Sequence, residues 1–342
     1  QHYSTTPRNS NTTQFTYYDF QKASDKLTQV DPQFAIPYFK ADQIQNLPAA
    51  TSKDGQTGKI SNMDIWDSWP VQDPTTGKVA NWNGKQLVIA MMGTPLAGSN
   101  HLYLLYNDYG SDNFAGWKNA GDIFTAVRGD KKTGLEVADD QEWSGSAYPL
   151  ADGTIELFYT HSKFDRKSIN PQNHQRLAAA NLELKLNANG TVSVAGVKND
   201  HTIFNGKEDG DNGTHYQTYN KWAHNVTYFD GHKEDYGGAD NFAMRDPHIV
   251  QDTQGHRYLV FEASTGDDDY QSENQIYDLR NYGGNAKFQL ESLFDLLNND
   301  YSVKDAVTGK TVKVGRDMRV RASQANAAIG IVQLGGAENN PT

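Results

Sequence analysis

The chain has 342 residues, enough for two average domains or one large β domain, and 37% of them are hydrophobic, enough to bury a sizeable core. A formal net charge of -11 argues against phosphate backbones and anionic membranes as partners, and zero cysteines exclude disulfides, thiolate zinc sites and thiol nucleophiles together. Aromatic residues make up 11%, with 18 tyrosines, while charged residues reach only 21%, a mixture that suits a β-rich fold with polar, aromatic-lined surfaces able to stack on sugar rings.

Residues 1 to 14, rich in Ser, Thr and Asn, are expected to form a flexible N-terminal segment. The start, QHYSTTPRNSNTTQ, lacks the charged and apolar regions of a signal peptide and reads as a mature or trimmed chain, and no apolar run approaches the roughly 20 residues needed to span a bilayer. From Phe15 to Pro48 a helical pattern is interrupted by Pro32, Pro37 and Pro48, which predicts short peripheral helices rather than a separate domain.

A loose repeat follows. GKQLVIAMMG from Gly84, DGTIELFYT from Asp152 and GHRYLVFEAS from Gly255 each place a glycine turn before an apolar strand. Each comes after a polar cluster: IWDSWP at 65, EWSGSA at 142 and MRDPH at 244. A β-propeller explains cluster, turn and strand repeated three times, because each blade starts beside a central channel where polar residues from several blades converge. Polar loops at 127 to 141, 205 to 217 and 230 to 241 are long enough to be excursions. One clear helix is predicted in KFQLESLFDLLNN, with Leu290, Leu293, Phe294 and Leu297 on its apolar face against a sheet edge.

Three clusters carry candidate chemistry. Asp67 lies between Trp66 and Trp69; a lone Asp at a strand start often only accepts turn hydrogen bonds, yet indoles beside a carboxylate are what attack on a stacked sugar requires. Arg245, Asp246 and His248 form either an ordinary ion pair or a grip on sugar hydroxyls, with His248 orienting the loop. In Glu142-Trp143-Ser144-Gly145-Ser146 the small residues allow close approach to a neighbouring carboxylate, while the spacing does not fit a serine-hydrolase elbow. The ten histidines show no zinc-ligand spacing, and the acidic run EDGDNG lacks the Glu that closes an EF-hand loop.

These clusters, in this order and continuing through YLVFEAST and ANAAIG, closely resemble glycoside hydrolase family 68, the levansucrases and inulosucrases, over roughly residues 15 to 335. The resemblance implies an all-β, five-bladed propeller with short peripheral helices over residues 15–342, and a retaining fructosyltransferase that cleaves sucrose and passes fructose to fructan or water. It implies Asp67 as the nucleophile, Asp246 as the transition-state stabiliser, Trp66 and Trp143 lining the sucrose pocket, Ser144 bonded to the nucleophile and Arg245 contacting substrate. Asn241 is a candidate acceptor residue.

A structural Ca2+ is implied at Asp240, Gln271, Gln324 and Asn326, an oxygen-only set suited to a hard cation. The family's acid/base glutamate sits in an Asp-Glu-Ile-Glu-Arg motif that these residues do not contain, so the expectation is that the last propeller strands and this glutamate come from elsewhere, as further chain or a second polypeptide. Glu142 and Glu262 match other positions of the family. The expected location is extracellular, and sucrose and fructan acceptors are the expected partners. The alternatives are a non-catalytic sugar-binding propeller fragment and an invertase-like hydrolase, against which stands the lack of an Asn-Asp-Pro-Asn-Gly segment.

Overall fold

The computed structural model describes residues 15–28, 39–53, 57–95, 100–125, 140–164, 173–204, 226–227, 233–234, 244–264, 277–298, 302–304, 309, 311–313 and 327–342. The backbone divides into two compact units, one comprising residues 1–44, 219–241 and 265–326, the other 45–218, 242–264 and 327–342.

In the first unit, helix α1 (Tyr17–Thr28) starts at Thr16, whose hydroxyl accepts from Asp19 N while its own N–H donates to the Asp19 carboxylate, a reciprocal cap. Helix α2 (Ala286–Asn298) covers the predicted segment but turns a different face inward. Leu290 and Phe294 are 44% and 55% exposed, whereas Ser292 is buried and Phe288 packs its ring against Tyr17 and Tyr18 of α1. The partner seen among the described residues is thus another helix, not a sheet edge, and the aromatic contact rotates the buried stripe away from the leucine-rich one.

The second unit begins with a small hairpin, β1 (Thr51–Lys53) and β2 (Ile60–Asn62), followed by the three predicted repeats. The first sheet runs in the order β3 (Asp64–Pro70), β4 (Lys85–Gly93), β5 (Asn100–Asp108) and β6 (Lys118–Asp122). The second is β7 (Asp140–Pro149), β8 (Ile155–Phe164), β9 (Asn173–Leu186) and β10 (Val192–Phe204). Every neighbour in both is antiparallel, as in blades built by successive hairpins.

Two short hairpin pairs, β11 (Val226–Thr227) with β12 (Lys233–Glu234) and β15 (Ser302–Lys304) with β16 (Thr311–Lys313), belong to the first unit. The third sheet of the second unit pairs β13 (Met244–Gln251), β14 (Arg257–Ser264) and β17 (Ala327–Leu334). The glycines that announced the repeats, Gly84, Gly153 and Gly255, all have φ between +80° and +90°, a conformation that costs glycine little. At Asn83-Gly84 both residues are left-handed, the two-residue hairpin turn that matches strand twist.

Alternation along the strands decides which sheet packs on which. Ile155, Leu157 and Tyr159 of β8 meet Leu87, Ile89, Leu102 and Leu104 of the first sheet, with Phe124 against the Tyr159 ring. Phe158, from the opposite face of β8, joins Leu177 and Ala179 against Met244, Leu259 and Phe261 of the third sheet. The second sheet is therefore buried on both faces. The first strands lie side by side: Val71, just after β3, forms a parallel bridge to Ala147 of β7, and β7 in turn bonds to the Pro247–Ile249 backbone of β13.

Candidate active site

Each of the three first strands carries a register irregularity where its polar cluster sits. Pairing is interrupted between Ile65 and Ser68 in β3, between Trp143 and Gly145 in β7, and between Arg245 and His248 in β13. Asp67, Ser144 and Asp246 lie in the interruptions. A bulge puts extra residues on one strand, bends it and re-aims a side chain, so three bulges at equivalent places turn three polar groups out of the sheet pattern toward one another.

The bulges meet in measured contacts. Ser144 Oγ donates to Asp67 Oδ2 at 2.6 Å across 77 residues of sequence. Gly145 follows because nothing larger fits: an added Cβ would stand 1.9 Å from the Phe158 carbonyl oxygen. Asp246 adopts φ +59°, and Asn83 and Asn199, the other described non-glycine residues with positive φ, are not in the candidate site. Such a backbone costs roughly 1 to 2 kcal/mol for an L-residue, and strain of this kind concentrates at functional positions. Its N–H donates to Thr160 Oγ1 at 2.9 Å, and Thr160 Oγ1 donates to the Ser144 carbonyl at 2.9 Å. Ser146 Oγ donates to the Pro247 carbonyl at 2.8 Å and accepts from Ile249 N at 2.9 Å.

Arg245 does not reach for Asp246. Its guanidinium forms a fork with Glu262, both bonds 3.0 Å, and a further contact of 3.3 Å to Gln175 Oε1. The Asp246 carboxyl is pushed up to about 6, chiefly by burial and then by the Glu262 charge, with the Arg245 charge opposing the rise and the Asp67 charge adding to it. Trp66 is 57% exposed, presenting indole surface to solvent beside the Asp67 bulge. Trp143 is half-buried with its indole N–H bonded to Gln141 Oε1 at 3.0 Å, which fixes its ring. A cleft of about 450 Å3 lined by Asn62, Asp64, Ile65 and Trp66 opens on one side of Trp66 but is bordered by neither Asp67 nor Asp246, so the bulges rather than volume mark the site.

The structure thus brings together Asp67, Ser144, Arg245 and Asp246, with Trp66 and Trp143 on the same bulged strands as Asp67 and Ser144. The calcium candidates Asp240, Gln271, Gln324 and Asn326, and the acceptor candidate Asn241, lie outside the described residues, as do residues 1 to 14. His248, expected to orient the loop, is exposed. Glu142 is fully buried against His101 Nδ1 at 3.0 Å, which agrees with withholding an acid/base role from it. Thr160 and Gln175 are supports of the site that sequence reasoning missed; Ser146 and Glu262 were named there, without the contacts to Pro247, Ile249 and Arg245 that the structure gives them. The sequence signal for Thr160 is slight: its hydroxyl ends the apolar run Leu157–Tyr159, after which the strand continues with His161, Ser162 and Lys163.

The sequence and the fold are similar to those of known proteins. The family model described as Levansucrase/Invertase, glycoside hydrolase family 68, matches residues 5–341. An inulosucrase of Lactobacillus johnsonii is 46% identical over 331 residues, covering 96% of this chain and 36% of that protein, and a levansucrase of Streptococcus mutans is 47% identical over 328 residues with the same coverage. The crystal structure of Bacillus subtilis levansucrase superposes with a TM-score of 0.65 at 30% identity, covering 94% of this chain and 62% of that one. A B. megaterium levansucrase variant gives 0.69 at 32% identity, covering 94% and 63%. The chain therefore spans about a third of the length of these curated relatives, and its sheets are blades of the five-bladed propeller of its structural neighbours. On the family match, the relatives and the shared fold, this chain belongs to glycoside hydrolase family 68.

Proposed function

We propose that this chain forms the nucleophile half of a fructansucrase site, which cleaves sucrose with retention and transfers the fructosyl group to fructan or to water. The observation that carries the reading is the 2.6 Å bond from Ser144 to Asp67 beside the strained, half-buried Asp246 on the neighbouring blade. In the reaction, an Asp67 carboxylate oxygen forms a bond to the anomeric carbon of fructose as the bond from that carbon to the glycosidic oxygen breaks. Glucose leaves with the electron pair and a proton from a general acid. Ser144 holds the attacking carboxylate in line, the Trp66 face supports the sugar, and ionised Asp246 accepts hydrogen bonds from fructosyl hydroxyls and faces the positive charge that develops on the ring.

The general acid is the role that the described carboxyls nearest the bulges do not fill, since Glu142 is buried on His101 and Glu262 is engaged by Arg245. The reading assigns it to a glutamate supplied by further chain or a second polypeptide. A structural Ca2+ at Asp240, Gln271, Gln324 and Asn326 and an extracellular location belong to the same proposal. The first is supported by an all-oxygen donor set, and the second rests on the family resemblance alone.

The test is incubation with sucrose and calcium while free glucose and free fructose are followed separately, with the C-terminal part of a family propeller added in a parallel reaction. Glucose in excess of fructose establishes transfer, and equal amounts establish hydrolysis. Sucrose binding with neither sugar released in either reaction overturns the catalytic reading in favour of a sugar-binding module.

A further inference from the structure

The backbone around Asp246 is held by groups that belong to another blade. Its N–H ends on Thr160 of β8, and the carbonyl and amide just beyond it, Pro247 O and Ile249 N, both end on Ser146 of β7. The Thr160 hydroxyl simultaneously donates to the carbonyl of Ser144, the residue whose side chain grips Asp67. Thr160 is fully buried and Ser146 is 3% exposed, so no solvent competes for either hydroxyl. Each hydroxyl uses its single donor and one of its two acceptor sites, which fixes its rotor.

We propose that Thr160 is a positioning residue that sets the spacing between the two site carboxylates, with Ser146 as its companion, by clamping the Asp246 backbone in its left-handed conformation and the Ser144 bulge at the same point. The clamp rests on the fructosyl-transfer reading only for its catalytic consequence. Its structural content stands alone: one hydroxyl joins the bulge of β7 to the bulge of β13. Without it, the N–H of Asp246 loses its partner, the left-handed strain is uncompensated, and the side chain swings by the rotation that releases it.

Thr160→Val keeps the shape and deletes the hydroxyl, Thr160→Ser keeps the hydroxyl and deletes a methyl, and Ser146→Ala removes the second clamp. In the full-length protein, Thr160→Val is expected to lower kcat for sucrose by about 100-fold, the loss that an ångström of misplacement brings, with a small change in KM. It is also expected to move the acid limb of the pH profile, because Asp246 turns relative to Asp67, Arg245 and Glu262, the charged groups that surround it. Thr160→Ser is expected to restore kcat to within about threefold. A merely structural role would lower the melting temperature and the fraction of active molecules but leave kcat per active site and the pH midpoint in place, and that result overturns the proposal.

Should Thr160→Val fail to fold, Ser146→Ala carries the same comparison. Crystal structures of Thr160→Val and Ser146→Ala decide the geometry independently of turnover. Asp246 leaving positive φ, with Ser144 displaced from Asp67, supports the clamp, and an unchanged Asp246 and Ser144 refutes it. If the parent protein releases no glucose from sucrose, the fructosyl reading fails, while these structures still decide the clamp.

Discussion

Replacing Gly145 by alanine tests the link between fold and site at a single atom. The added Cβ would lie 1.9 Å from Phe158 O, 2.7 Å from Phe158 C and 2.7 Å from Tyr159 Cα, all backbone, so no side chain can step aside. Ordinary carbon contacts need about 3.5 Å, so β7 must withdraw from β8 by roughly 1.5 Å at the bulge. A shift of that size stretches the 2.6 Å bond from Ser144 to Asp67 beyond hydrogen-bonding range. Overpacking costs about 1 to 3 kcal/mol, and the loss of a hydrogen bond to a charged group about 1.5 to 3 kcal/mol, so Gly145→Ala is expected to destabilise by roughly 2.5 to 6 kcal/mol. The assay is urea unfolding of wild type, Gly145→Ala and Ser144→Ala, the last losing only the hydrogen bond. A Gly145→Ala midpoint within about 0.5 kcal/mol of wild type, at unchanged slope, would refute the reasoning.

Glu156 offers a pH test away from the site: it is fully buried, one oxygen accepts from Asn181 at 3.1 Å, the other has no hydrogen-bond partner, and burial pushes its carboxyl up to about 8. Because the folded value lies above the unfolded one, its contribution is complete below about 4.5 and is lost as pH rises through about 8, a cost of a few kcal/mol in alkali. Glu156→Gln should therefore melt higher than wild type at pH 9 and close to it at pH 4, and a parallel fall of both proteins with pH would contradict this. Asp246, pushed up to about 6, predicts sugar binding that strengthens as pH rises through that value, and Glu262→Gln should move the midpoint to lower pH by removing a like charge. Titration calorimetry across pH checks the direction. At Gly330 an added Cβ would sit 2.3 Å from Phe261 Cζ, so Gly330→Ala should destabilise the third sheet by about 1 to 3 kcal/mol, with Phe261→Leu recovering part of the loss in a double-mutant cycle.

The three repeats were legible because glycine turns and period-2 apolar strands are local properties, and both recur at Gly84, Gly153 and Gly255. Asp67, Ser144 and Asp246 were legible through the motifs that hold them. How they meet was not, because a bulge is a property of a strand pair: Thr160 lies 16 residues from Ser144 and 86 from Asp246, and only register brings the three together. The inward face of α2 was misread for a similar reason. Its leucines suggest one stripe, and the Tyr17 and Tyr18 rings of a distant helix select another through Phe288.

The measurement that bears most directly on the account is identification of the covalent intermediate. Full-length protein is mixed with sucrose, quenched in acid within a turnover, digested and mapped by mass spectrometry. The account predicts one added hexosyl group on the peptide containing Asp67, absent from Asp67→Ala and retained in Asp246→Asn at slower accumulation. Glucose release with no adduct, or with the adduct on another carboxylate, would contradict it.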